Sequence, residues 1–115
     1  MANTFKVITK AGVTSADVIY TVAGSTTTII LGLMVGNTTS GAITSSVTLG
    51  TDTAGRAGNN DEANQAVELI TSAAIPANSS LEFMGGNKII METTDTLSVT
   101  GSGAVDIALS IMEIT

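Results

Sequence analysis

The side chains best suited to chemistry lie in one stretch, 50–64 (GTDTAGRAGNNDEAN). Asp52, Asn59, Asn60, Asp61 and Glu62 supply hard oxygen donors of the kind Ca²⁺ takes. Their spacing does not follow the EF-hand loop, and adjacent acids in a loop are ordinarily solvated, so no metal site is expected. Gly55-Arg56-Ala57-Gly58 has the glycines of a phosphate-cradling loop but neither its Gly-Lys-Ser/Thr ending nor a helix after it. A carboxylate pair for glycoside hydrolysis can be drawn from any of the ten acidic residues, and no spacing singles one out.

The chain contains no His and no Cys. That removes the commonest general base and metal ligand, and with them all thiol and disulfide chemistry. The sequence therefore predicts no enzyme, no cofactor, and no catalytic or metal-ligating residue. Nucleic-acid binding needs a basic footprint. Here the basic residues are Lys6, Lys10, Arg56 and Lys88, scattered in a chain of net charge −6. The longest apolar run, 29–36 (IILGLMVG), is far short of the roughly 20 residues that span a bilayer. The first residues, Met1 to Thr4, lack the basic start and apolar stretch of a secretion signal. No nucleic-acid or membrane partner is expected.

Charged residues are 12% of the chain, where about 25% is usual. Thr and Ser take their place. Such a surface is cheap to desolvate against another protein, and it is equally what a β protein shows when Thr lines its outer pleats.

Behind these side chains the pattern alternates with period two, and no stretch carries the 3.6-residue period of a helix. Strands are predicted at 4–9, 16–22, 26–35, 42–49, 65–71, 81–84, 88–91, 97–100 and 104–114, punctuated by Gly, Asn, Ser and Pro. The spacing fits an all-β chain, 1–115, folded as one antiparallel β-sandwich of jelly-roll or immunoglobulin-like form, with 50–64 as its irregular loop. Shared parity predicts that Leu31, Leu33, Val35, Val67, Leu69, Leu97, Val99, Ile107 and Leu109 lie between the sheets. Phe5, Tyr20 and Phe83 fall in phase with core positions, which leaves no stacking platform for a carbohydrate-binding module.

The remaining apolar residues suggest an interface. Ile30 and Met34 occupy the second face of the strand at 26–35, and Met112 and Ile114 lie opposite Ile111. With Asp52, Arg56, Asp61 and Glu62 of the long loop, they form the candidate contact set. Arg56 is the leading polar residue, because its planar fork can grip a carboxylate in two places. The loop has no large apolar anchor, so it is expected to be mobile alone and to reach toward a neighbouring subunit.

The segments VIYTVAGSTTTIILGLMVGNTT (18–39), IPANSSLEFMGGNKIIMETTDTLSVTG (75–101) and VDIALSIMEI (105–114), after a MANTFK start, resemble small virion proteins of tailed phages, especially marine and cyanobacterial ones. Residues 1–49 and 65–115 fit that pattern and 50–64 depart from it. The resemblance implies a virion structural protein, first as a decoration or cement subunit on the outer surface of the capsid, otherwise as a neck, tail or fibre subunit. Its partners would be copies of itself and other virion proteins, the major capsid protein first.

Overall fold

A computed structural model describes residues 2–51, 64–83 and 88–115. In chain order the strands are β1 (Asn3–Val13), β2 (Asp17–Thr21), β3 (Thr27–Asn37), β4 (Ile43–Thr51), β5 (Gln65–Ile75), β6 (Ser80–Phe83), β7 (Ile89–Met91), β8 (Thr96–Gly101) and β9 (Val105–Ile114). The described residues form no helix. The alternating runs of Val, Ile, Leu and Thr became strands close to where they were predicted, because branched side chains pack well on a pleated surface.

The strands make two antiparallel sheets. One has the order β1-β9-β3-β6, with β7 beside β6 on the same edge of β3; the other has the order β2-β8-β4-β5. The pairing reads as one long antiparallel hairpin. β4 and β5 form its tip, β3 meets β6 and β7, β2 meets β8, and β1 meets β9. Rolling that hairpin over itself adds the pairs β3–β9 and β4–β8. This is the jelly-roll form of the β-sandwich, with β6 and β7 sharing one lane.

Between the sheets lies an aliphatic core that includes Ile30, Leu33, Val35, Val47, Leu97, Val99, Ile107, Leu109 and Ile111. Phe5 lies outside it, and Tyr20 packs against it from the edge. Asn37, at the end of β3, is the buried polar joint of one end of the sandwich. Its amide nitrogen lies 2.8, 3.0 and 3.1 Å from the carbonyl oxygens of Gly41, Ile75 and Pro76, and its oxygen accepts from the Thr39 N–H and hydroxyl. One side chain thus satisfies backbone groups from two turns at once.

β-Bulges decide which residues reach the core. Along β3 the register runs Ile30↔Ile111 and then Gly32↔Ser110, so Leu31 is an extra residue without a partner. One extra residue reverses the parity of everything after it. Thr28 and Ile30 point inward before the bulge, and Leu33 and Val35 after it. The expectation that Leu31 lies between the sheets with Leu33 and Val35 is therefore corrected for Leu31. Ile30 is 0% exposed and belongs to the core rather than to an outer contact set. In β5, two register shifts against β4 likewise break the predicted phase. Leu69 is half-buried, and Val67, on an edge strand, is 49% exposed.

Candidate interaction surface

The parity that sends Ile107, Leu109 and Ile111 inward sends Ala108, Ser110 and Met112 outward. Across β9 the register then assembles the outer face of the five-stranded sheet in rows. Phe5 pairs with Met112, Met112 with Ile29, and Ile29 with Ile90. These four large apolar side chains form a continuous ridge crossing β1, β9, β3 and β7. Phe5 is 70% exposed and Ile90 60%, whereas Met112 and Ile29 are half-buried between them. Val7 and Met34 are exposed on the same face, two residues beyond Phe5 on β1 and five beyond Ile29 on β3 respectively.

Beside the ridge the next row holds two small residues, Ser110 and Gly32, with Val7 at its β1 end. Ser110 pairs with Gly32 on β3, and Ala108 with Met34. Their small size leaves a shallow depression lined by Leu31, Gly32, Met34, Glu82, Ala108 and Ser110. Leu31, displaced by the bulge, becomes one of its walls. A Cβ built on Gly32 would meet no atom within 4 Å, so the depression opens outward. Ridge and depression together make a contiguous apolar patch of the kind that marks interaction sites.

Glu82 is the charged side chain at the depression, and the other charges lie elsewhere or at the margins. Asp106 shares the face but its carboxylate accepts the Gly12 N–H at 3.0 Å. Lys6 and Lys10 sit at inward-facing positions of β1, paired with Ile111 and Ile107. Lys10 bridges to Asp17 on β2 at 3.0 Å, and Lys6 to Glu113 at 2.7 Å.

Glu113 is the centre of a polar clamp at one end of the sandwich. The Tyr20 hydroxyl donates to its carboxylate at 2.6 Å. With that proton committed, the Thr28 hydroxyl donates to the Tyr20 oxygen, also at 2.6 Å. The clamp ties β2 of one sheet to β1, β3 and β9 of the other. Burial, and then the hydrogen bond to Glu113, pushes the Tyr20 hydroxyl up to about 12. The Lys6 ammonium, followed by the Tyr20 hydroxyl, holds the Glu113 carboxyl below its ordinary range. Tyr20 stays protonated and Glu113 charged, which suits a clamp and not proton transfer near neutrality.

Of the residues singled out by sequence, Met34, Met112 and Ile114 fall on the outer face and Ile30 does not. Asp52, Arg56, Asp61 and Glu62, and the predicted loop reach and mobility, lie outside the described residues. Sequence reasoning missed Phe5, Val7, Ile29 and Ile90, and it placed Phe5 in phase with the core. Their signal exists only in the register: Phe5 is outward because it is paired with Met112 rather than with Ile111. Among the described residues no group of three or more acidic side chains is placed to hold a metal ion. No described helix is long and apolar enough to cross a membrane.

No protein-family model matches the chain, and no curated protein matches it. Among solved structures, one similar chain comes from Bacillus endospore appendages that form disulfide-linked pili. It is 17% identical, at a TM-score of 0.49 over 97% of this chain and 84% of that one. A second belongs to the infectious bursal disease virus Gx strain, 10% identical, at a TM-score of 0.38 over 98% of this chain and 37% of that one.

Proposed function

We propose that this chain is a structural subunit of a virion that acts through protein–protein contacts and not through catalysis. The observation that carries this reading is the apolar ridge and depression on the outer face of the five-stranded sheet. A free monomer gains nothing from exposing Phe5, Val7, Ile90 and Met34 together, whereas a lattice-bound subunit buries them. The residue types support it: sparse charge, no His or Cys, and Thr-rich outer pleats that desolvate at little cost. The resemblance of 1–49 and 65–115 to tailed-phage virion proteins supplies the setting.

Within that setting the chain is a capsid decoration or cement subunit on the outside of the particle. Each copy bridges neighbouring subunits, the major capsid protein foremost, and adds buried area that resists pressure from within. The test is its abundance in purified virions, measured by quantitative mass spectrometry. A copy number on the scale of the major capsid protein's supports the decoration role. A number matching a single ring of subunits moves it to the neck or tail, and absence from virions refutes the reading.

A further inference from the structure

We propose that β1 is a strand exchanged between copies, so that in the assembled state the β9 edge of one chain carries the β1 of a second. This rests on the reading of the chain as an assembling structural subunit and names how one subunit holds the next.

β1 is the edge strand of the five-stranded sheet and is bonded to β9 alone. Of its 11 residues only Val13 is buried and only Ile8 half-buried; the rest are exposed. Lys6 and Lys10 occupy inward positions, yet their side chains are 51% and 43% exposed. The opposing strand explains this, since β2 has 5 residues against the 11 of β1 and leaves much of its inner side uncovered. What holds β1 is therefore the ladder to β9, from Asn3↔Ile114 to Lys10↔Ile107. Around it lie the two backbone bonds between Ala2 and Thr115, the Gly12 N–H bond to Asp106 and the Lys6–Glu113 ion pair. Each of these partners belongs to β9 or the residue after it, so the β1 of another copy remakes every one. Exchange of an identical element between protomers changes only the hinge and the entropy of association.

The hinge is short. β1 leaves one sheet at Val13 and β2 opens the other at Asp17, so residues 14–16 alone cross between the sheets. The chain doubles back there, bringing Lys10 within 3.0 Å of Asp17. Just before it the β1–β9 register breaks between Lys10 and Val13, and Gly12 stands at φ +68 in open space. Glycine passes between left-handed and extended backbone without a Cβ clash, so this bend straightens readily. Short, sharply bent connections invite strand exchange, because straightening them carries the end strand away from its own body. Extended, residues 11–16 span about 20 Å, enough to take β1 clear of its own β9. The inward lysines also guard the free outer edge of β1 against a further strand, which ends the exchange at one strand.

The chain contains no Cys, so a cross-strand pair can be introduced without background. Val7 and Ser110 are partners in register, and both are exposed. Val7→Cys/Ser110→Cys, closed after assembly with a short bis-maleimide, is expected to join two chains and double the mass on a denaturing gel, while neither single variant does. A link confined to one chain overturns the proposal. A Gly-Ser-Gly-Ser insert after Ser15 relaxes the bend and should shift the assembly roughly tenfold or more toward monomer by sedimentation equilibrium, with the thermal melt nearly unchanged. An insert variant that assembles with undiminished affinity overturns the proposal, as does a wild-type chain that stays monomeric at every accessible concentration. The two readings fail separately. A chain abundant on virions whose cysteine pair closes within itself refutes the exchange and spares the virion role; an exchanged assembly absent from virions does the reverse.

Discussion

The bulge at Leu31 makes a sharp quantitative claim about three consecutive residues. Ile30 is fully buried at 0% exposure, and Ile29 and Leu31 face outward, half-covered by neighbours on their own sheet. Ile30→Ala removes three carbons from the core, worth about 0.8 kcal/mol each in transfer free energy, or ~2.4 kcal/mol together. The void left between the sheets adds to this, so the full cost falls in the range of about 2–5 kcal/mol typical of buried aliphatic truncations. Leu31→Ala and Ile29→Ala open no closed cavity and should each cost about 1 kcal/mol or less. For a chain of this size, 1 kcal/mol shifts Tm by roughly 4 °C, so Ile30→Ala should melt ~8–20 °C below the parent and the other two within ~4 °C of it. Circular dichroism melts at low protein concentration, where self-association is minimal, with urea midpoints alongside, measure the contrast. Without the bulge, simple alternation places Leu31 in the core and Ile30 outside. A Leu31→Ala variant as damaged as Ile30→Ala, or more so, would refute the bulged register and the outer face built on it.

Other expectations follow from the polar joints and one tight turn. The Glu113 carboxyl is held below its ordinary value of 4.5, so its stabilisation is complete above that value and is lost as the pH falls through the depressed folded value. Glu113→Gln should flatten the acid limb of stability against pH. Tyr20 is displaced the other way, from 10.0 to about 12, so its contribution is complete below pH 10 and lost as the pH rises toward 12; Tyr20→Phe should abolish that alkaline dependence in urea titrations. Asn37→Asp places a buried carboxylate against the Gly41, Ile75 and Pro76 carbonyls and should cost about 3 kcal/mol at neutral pH. Burial raises that carboxyl's pKa, so part of the loss should return on mild acidification, and an equal deficit at both pH values would contradict the joint. A methyl group at Gly101 would come 2.5 Å from the Gly103 carbonyl oxygen and 3.0 Å from that of Val13, so Gly101→Ala should destabilise by about 1–3 kcal/mol in the same melts.

The sequence by itself determined the class of fold, the positions of the strands and a side-chain repertoire without His or Cys. Alternation with period two is a local property of an extended backbone, so runs such as 97–100 and 104–114 announced β8 and β9 without reference to any partner. The inward parity of Leu97, Val99, Ile107 and Leu109 was legible for the same reason, because β8 and the inner part of β9 carry no extra residue to disturb it. The face chosen by β1 and β3 was not legible. Phe5 alternates as faultlessly as a core residue, and only its pairing with Met112 turns it outward. Ile30 and Leu31 are adjacent aliphatics whose roles exchange because one unpaired residue resets the phase of β3. The clamp of Tyr20 and Glu113 joins residues 93 apart in the chain, and no spacing rule spans that distance. Local sterics fix how a strand alternates. Which of its two faces meets the core depends on the hydrogen-bond register with strands far away in the sequence, and only the tertiary structure sets that register.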